Sequence, residues 1–431
     1  MKQHRLFLKN TFYLVFGLYL TIGVFNLTVD PYGIYNLLVI EGFNDVKPQN
    51  NQQRMVKTLQ LRKLRPKGII LGSSRTNYGL DPEHVAWRFD SRPVYNLSMS
   101  FISPAEIYKL LKYANSLNHL NEVIIGLDFF SYNIYQTDPI SNDFLDLASV
   151  TKNGDIHISS LAKEFQNTLF SFTAIEKSFK TIFYKGSQFG SPYGLKHHND
   201  KRSPRVLSNL FFSRLYKGLW FPKPNSKFCL YNENKESKKF EQLGKIINFS
   251  IRNNIELKIF INPIHADLLE LMSFMNLWPL YENWKRGLVN LIATINKQKS
   301  KETSIRLWDF GDYNSITTEK IPLSTDLEKA MQGYFEVSHY KKSVGDIILD
   351  KVLTHPNSQK ITNKDFGHLI DIQNIEKHLK NIKGKQAQYH NENRDYLEGL
   401  RILWTNSRGN TNLKSDTSYR GRAPLHLCTL S

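Results

Sequence analysis

Two short segments of this 431-residue chain carry the residue types that acyl-transfer chemistry needs. The first is Gly72-Ser73-Ser74-Arg75, which directly follows the apolar run Gly68 to Leu71. A serine serves as a nucleophile when it is exposed, has backbone N–H groups nearby to hold an oxyanion, and lies within hydrogen-bond reach of a base. A tight turn at the carboxyl end of a parallel strand, running into a helix N-terminus, supplies the first two conditions. The second segment is Glu336-Val337-Ser338-His339, just ahead of a helical pattern at 343–353. A carboxylate three residues before a histidine can bond its Nδ1 and fix the tautomer, leaving Nε2 to take the serine proton. Each segment also has an ordinary reading. Gly-Ser-Ser is commonly a turn and N-cap, and an isolated Glu-x-x-His is commonly a surface histidine near a helix start. Their order along the chain, and their placement at the ends of elements, carry more than either segment alone.

Other chemically suggestive residues stand further from a mechanism. His265 follows the apolar run Glu256 to Ile261, which puts it at the same sheet edge as Ser74. It is either a substrate contact or brace for the loops, or a cap of the helix that starts at Ala266. His197-His198 with Asp200 gives no tetrahedral ligand spacing, so no metal is expected. Asp309-Phe310-Gly311 matches a kinase tripeptide without the glycine-rich or catalytic loop that would accompany it. Walker and dinucleotide glycine patterns are missing, so no cofactor is expected either.

The elements that must hold these residues read as an alternation. Short apolar runs at Gly68–Leu71, Val94–Leu97, Glu122–Asp128, Glu256–Ile261 and Ser304–Phe310 are separated by helical patterns. The helices are expected from Pro104 to about Asn118, at 236–254, at 280–300 and at 343–353. Strands apolar enough to be buried on both faces, alternating with helices, predict a doubly wound parallel α/β sheet. Such sheets place ligands beyond the carboxyl ends of their strands. The stretch 131–235 breaks the rhythm. It is rich in Phe, Ser, Asn and Lys, with aromatics at Phe170, Phe172, Phe211, Phe212 and Trp220, and reads as an inserted subdomain or lid. The resulting division is a tip and anchor at 1–30, a juxtamembrane segment at 31–66 with a basic helix ended by Pro66, and an α/β domain at 67–355. A helical extension at 356–403, with one amphipathic helix from about Ile372 to Leu400, precedes a tail at 404–431 that is expected to be disordered.

The anchor is read from the first thirty residues. Asn10 to Val29 contains no charged side chain, and twenty helical residues rise about 30 Å, the hydrocarbon thickness of a bilayer. Lys2, Arg5 and Lys9 precede the run and Asp30 follows it, so the positive-inside rule places the N-terminus in the cytoplasm and the bulk of the chain outside a bacterial inner membrane. The run ends in Phe25-Asn26-Leu27-Thr28-Val29, without the small-x-small site of a cleaved signal peptide. Composition fits this placement. Lys and Arg number 57 against 39 Asp and Glu, a net charge of +18. That excess suits anionic lipid, an anionic polymer or nucleic acid, and an extracytoplasmic domain meets no cytosolic nucleic acid. Apolar residues at 41% exclude wholesale disorder, and two cysteines, Cys229 and Cys428, build neither a disulfide framework nor a metal knuckle.

Taken in order, Gly72-Ser73-Ser74-Arg75, Tyr95-Asn96-Leu97-Ser98, Gly126-Leu127-Asp128-Phe129 and Glu336-x-x-His339 resemble the blocks of the SGNH (GDSL-type) hydrolases. The likeness is to membrane-anchored bacterial members akin to enzymes that acylate or deacylate cell-surface polymers. Val29-Asp30-Pro31-Tyr32-Gly33, Asn262-Pro263-Ile264-His265-Ala266, Trp278 and Trp284-Lys285-Arg286 are similar to that group too. The resemblance implies an SGNH/flavodoxin-like fold, Ser74 as nucleophile, His339 as base and Glu336 as its orienter. It points to Arg75, Asn96, Gly126, Asp128 and His265 as oxyanion or substrate contacts. Two departures stand out. The second block, Asn96 to Ser100, has no glycine. Asp128 stands where the family places an oxyanion-donating Asn, and an ionised carboxylate accepts only. Loss of one oxyanion donor costs about 3–4 kcal/mol of transition-state stabilisation.

Two functional readings follow. One is a membrane-anchored serine esterase or O-acyltransferase whose partner is a cell-surface polysaccharide or another acyl acceptor. The other is a catalytically inactive binding or assembly protein on the same fold. A cytoplasmic-facing nucleic-acid binder is the third and weakest.

Overall fold

Strands and helices alternate as the apolar pattern requires in a computed structural model of the chain, which describes residues 2–47, 52–136, 157–184, 186, 190–214, 220, 227–297, 304–322, 330–354, 363–409, 426 and 427. A long helix, α1 (Lys2–Val29), is followed by α2 (Gln53–Leu64), β1 (Gly68–Leu71), α3 (Ser74–Gly79), β2 (Val94–Asn96), α4 (Pro104–Leu117) and β3 (Glu122–Leu127). Then come α5 (Ile158–Leu169), α6 (Phe172–Phe183), α7 (Pro204–Arg214), β4 (Lys227–Phe228), α8 (Lys238–Arg252), β5 (Glu256–Ile261), α9 (Ala266–Phe274) and α10 (Trp278–Asn296). The last elements are β6 (Leu307–Asp309), α11 (Lys342–Leu353), β7 (His368–Ile370), α12 (Ile375–Glu392), α13 (Arg394–Gly409) and β8 (His426–Leu427).

The five expected strands form one parallel sheet in the order β2-β1-β3-β5-β6. Gly68 pairs with Val94 on one side and Glu122 on the other, Glu122 with Glu256, and Ile259 with Leu307. Every residue of β1, β2 and β3 is buried, which is why these strands read as continuous apolar runs rather than as an alternation. The order reverses between β1 and β3, so the loops after these two strands leave the sheet on either side of a topological switch point. A sixth strand, β7, closes the sheet edge antiparallel to β6, with Leu307 opposite Ile370. It was not expected. Its three residues are too few to show periodicity, and only Ile370 is buried.

The chain divides into two compact units, one of 1–66, 112–119 and 140–199, the other of 67–111, 120–139 and 200–431. The insertion expected over 131–235 is therefore shared between the two. In the first unit α1 is long and apolar enough to cross a membrane. Its last carbonyls, orphaned as at every helix C-terminus, are capped by side chains. Asn44 Nδ2 donates to Thr28 O at 2.9 Å, and Lys47 Nζ donates to Val29 O at 2.9 Å. Asp30 then gathers the turn, its carboxylate accepting from the backbone N–H of Ile34, Tyr35 and Asn36 at 2.8–3.0 Å. A small core of Tyr32, Ile34, Val56, Leu59 and Ala174 packs beneath it.

In the second unit the turn after β3 carries Phe129 and Tyr132 into an aromatic cluster with Phe228, Phe240, Tyr281 and Trp284. Lys285, wholly buried, donates to Asp309 at 2.6 Å and to Gly311 O at 2.8 Å. The C-terminal extension differs from expectation in two ways. It is two helices, broken at Asn393, rather than one. Trp404 to Gly409 continue α13 instead of opening a structureless tail, because Trp404 is buried against Phe212 and Phe274 with ring centroids 5.6 and 5.7 Å away. His426–Leu427 also pairs, in parallel with Lys227–Phe228. The rest of that segment, 410–425 and 428–431 with Cys428, lies outside the described residues. So do His355 and residues 137–156, 185, 187–189, 215–219 and 221–226 of the expected insertion. Cys229 is buried and disulfide-bonded.

Candidate active site

The loop after β1 is built for close approach. Gly72 has φ of +149°, and a Cβ there would stand 2.5 Å from Thr76 Oγ1 and 2.8 Å from Gly126 O. Ser73 is the N-cap of α3, its side chain accepting from Arg75 N at 3.2 Å. The helix that follows is buried at Arg75, Thr76, Asn77 and Gly79. Ser74 and Tyr78, one turn apart, are partly exposed. Of the two serines, the first is buried and caps the helix, and the second is partly exposed.

The segment 334–340 folds back on itself, with Tyr334 bridged to Tyr340 and Phe335 N donating to His339 O at 2.9 Å. This turn brings Glu336 under its own His339. The Glu336 carboxylate accepts from the backbone N–H of Ser338 at 2.8 Å, from that of His339 at 3.0 Å, and from His339 Nδ1. Burial alone would raise its pKa, but the positive charge that the His339 ring carries when protonated and these hydrogen bonds outweigh burial and hold it below the usual carboxylate value. With Nδ1 donating to the carboxylate, the neutral ring presents Nε2 as an acceptor. Ser74 Oγ stands 2.8 Å from it. Serine, histidine and glutamate are thus aligned by hydrogen bonds across 265 positions of sequence. Aromatic rings flank the histidine. Tyr78 meets it edge-on at 4.9 Å, and Phe211 of α7 does so at 5.6 Å.

A second set of interactions fixes the two loops to each other. The Arg75 guanidinium is ion-paired with Asp128 and donates from Nε to Ser338 O at 3.1 Å. Asn262 Nδ2 donates to the other Asp128 oxygen at 3.1 Å, and Tyr340 OH donates to Asn262 Oδ1 at 3.0 Å. All five residues are buried. The circuit runs from the residue after Ser74, through the ends of β3 and β5, to the residues on either side of His339. Backbones close the same gap. A Cβ on Gly345 of α11 would stand 1.7 Å from the Gly79 carbonyl oxygen, and one on Gly79 would enter the Tyr340 ring.

The five residues considered as oxyanion or substrate contacts have other employment. Asn96 spends both amide hydrogens, on Thr76 O at 2.9 Å and Leu80 O at 2.8 Å, while its oxygen accepts from Ser98 N. Gly126 is a ladder residue opposite Phe260, and a Cβ there would meet Thr76, Phe260 and Asn262 below 3.0 Å. Asp128 and Arg75 neutralise each other. His265 is buried and caps α9, with Nδ1 accepting from Asp267 N at 3.2 Å. Its Nε2 is therefore the protonated nitrogen, and it donates to Glu319 O at 2.6 Å. These residues support the loops from behind. Asn262 and Tyr340 were missed as part of that support. Asn262 stands one residue past β5, at the edge where Ser74 and Asp128 also leave the sheet, and that placement was the available signal. Nothing in the sequence around Tyr340 marks its contact.

Comparison of the chain with protein-family models and with curated proteins returned no match.

Proposed function

We propose that this protein is a membrane-anchored, extracytoplasmic serine esterase or O-acyltransferase of SGNH type that acts on a cell-surface glycan or related polymer. The observation that carries the reading is the hydrogen-bonded line Ser74 Oγ, His339 Nε2, His339 Nδ1, Glu336. In that arrangement Ser74 Oγ attacks an acyl carbonyl as its proton passes to Nε2. The imidazolium, held by Glu336, returns the proton to the departing alkoxide. Water or a sugar hydroxyl, deprotonated by the same Nε2, then takes the acyl group from the serine, and the imidazolium returns that proton to Ser74 Oγ. The rings of Tyr78 and Phe211 suit the apolar faces of a sugar or acyl chain. A net charge of +18 suits an anionic polymer or lipid surface. The disulfide at Cys229 favours an oxidising compartment, and the basic residues before α1's apolar run favour a cytoplasmic N-terminus.

The test is turnover of short-chain acyl esters, together with labelling by a serine-directed fluorophosphonate. Wild type is compared with Ser74→Ala and His339→Ala after circular dichroism shows that all three fold. Turnover and labelling lost in both variants support the enzyme. A folded wild type that neither turns over nor labels refutes it. A reporter fused after Leu353 tests placement, since activity only in the cytoplasm excludes an extracytoplasmic site.

One observation favours a second reading, a non-catalytic SGNH-type binding or assembly protein. The side chains of Arg75, Asn96, Asp128 and His265 are committed to protein partners.

A further inference from the structure

The paired helices α5 and α6 lie against α1 within its apolar run. The Phe170 ring, in the two-residue link between them, stacks on Tyr19 with centroids 4.1 Å apart, and Phe179 meets Phe25 at 5.3 Å. Gly23 is the residue that permits this approach, since a Cβ there would stand 2.4 Å from the Phe170 ring. Asn26, an amide near the end of the run, is completely buried by the pair. Its Nδ2 donates to Leu169 O at 2.6 Å, and its Oδ1 accepts from Ser178 Oγ at 2.7 Å. Tyr19 lies ten residues before Val29, about 15 Å along a helix axis. If α1 spans a bilayer, the link between α5 and α6 therefore reaches about half of its hydrocarbon depth.

The outward faces of the pair carry large exposed apolar side chains, with Ser159, Gln166 and Thr173 exposed between them. On α5, Ile158, Leu161 and Phe165 are exposed at helical spacing; on α6, Phe172, Phe179 and Phe183 are. Phe172, beside the link, is 92% exposed and Ile158 is 85% exposed. The charges do not contradict this. Glu176 is paired with Lys180 one turn on, and Glu164 with Arg62 at 2.6 Å. Long lysine side chains can reach from a shallow depth to the headgroups. The segment just past α1 has the same character, with Leu37, Leu38, Val39 and Ile40 all exposed.

The geometry points to the lipid bilayer as the occupant of this face: α5 and α6 are seated in the leaflet that α1 leaves at Val29, with their phenylalanines among the acyl chains, so that three helices rather than one hold the protein in the membrane. The inference rests on α1 crossing the bilayer. Lipid is the occupant because the stripe continues the exposed apolar surface of α1 and lies at the depth of its apolar run. An amphipathic pair so placed buries its phenylalanines at the acyl boundary.

The experiment uses the full chain in vesicles of phosphatidylethanolamine and phosphatidylglycerol. Nitroxides are attached without reductant at Phe172→Cys and Phe179→Cys, at Leu14→Cys in α1, and at the exposed Phe89→Cys as a water reference. Collision with oxygen is compared with collision with a water-soluble nickel chelate. The expected result is an oxygen-to-nickel ratio at 172 and 179 that matches the ratio at 14 and far exceeds that at 89. Labels at 172 and 179 that behave like 89, while 14 remains in lipid, overturn the proposal and leave the anchor standing. Immobilised labels shielded from both reagents also overturn it, since protein, such as a second copy of the chain, then covers the face. A label at 14 that behaves like 89 removes the anchor itself and the proposal with it.

Discussion

Arg75 donates from Nε to the carbonyl oxygen of Ser338 at 3.1 Å, so the residue after the candidate nucleophile holds the residue before the candidate base. The same guanidinium is paired with Asp128 at the end of β3. One buried cation therefore ties together three loops that leave the carboxyl edge of the sheet. Asp128, for which the resemblance implied an oxyanion or substrate contact, is paired with Arg75 and serves as an anchor. Asp128 thus acts as a strut between loops.

This pairing predicts a separation of stability from reactivity. Arg75→Met leaves Asp128 buried without its cation, which is expected to cost about 3–5 kcal/mol in urea unfolding. The double variant Arg75→Met/Asp128→Leu removes both charges and is expected to recover most of that loss, as replaced buried pairs often do. It still lacks the bond to Ser338, so fluorophosphonate labelling of Ser74 should stay slow. If the double variant regains the wild-type labelling rate as well, Arg75 does nothing to align His339.

The contact between Gly79 and Gly345 predicts opposite effects of one substitution at two sites. Gly345→Ala drives a methyl group into the Gly79 carbonyl and should destabilise by about 1–3 kcal/mol, as overpacking does. It should also slow labelling by parting α3 from α11. Gly384→Ala, on an exposed turn of α12 where nothing lies within 4 Å, should instead stabilise by about 1 kcal/mol through helix propensity. Thermal or urea unfolding of the two variants reads both signs.

Much of this arrangement was legible in the sequence, and the limit of legibility has a physical form. Strand β1 is an uninterrupted apolar run, and β3 and β5 are mostly apolar after a leading glutamate, so composition marks them, and Ser74 is found by counting past β1. Glu336 and His339 are three residues apart, so their bond is local and spacing reveals it. The Ser74–His339 contact spans 265 positions and was reached through the rule that parallel strands gather loops at one edge. The circuit through Asn262 and Tyr340 has no such rule behind it. It depends on which way buried polar side chains turn once the loops have met. β7 and the continuation of α13 past Trp404 escaped for the same reason, since β7 is held by pairing with β6 and Trp404 by packing on Phe212 and Phe274, both distant in sequence, rather than by local periodicity.

Glu336 carries a pH dependence of stated sign. Its folded pKa is held below that of a free glutamate, about 4.3. The stability it contributes is therefore fully present above that value and is lost as pH falls through the lower, folded value. Against Glu336→Gln, wild type should lose its stability advantage as pH falls below about 4. Urea midpoints of the two proteins measured across that range check it. An advantage that instead grows as pH falls below about 4 would mean that the carboxyl is protonated more readily in the folded protein.

His265 and Glu319 form the rear support of the histidine loop. His265 Nε2 donates to the Glu319 backbone oxygen at 2.6 Å. The Glu319 carboxylate accepts from the backbone N–H of Gln332 and, at 2.9 Å, from that of Gly333. Gly333 O in turn accepts from Lys341 N at 2.8 Å, closing the base of the segment that carries Glu336 and His339. Glu319→Gln offers one acceptor where two donors need one each, and turns an amide N–H₂ towards the other. A loss of about 1–3 kcal/mol is expected from the unsatisfied donor, together with slower labelling of Ser74. His265→Asn separates the two duties of the histidine. Asparagine is a good N-cap, so α9 keeps its start, but its shorter side chain cannot reach Glu319. That variant should remain near wild type in helix content while Ser74 labelling falls. Unchanged labelling in both variants would show that the loop holds His339 in place without this support.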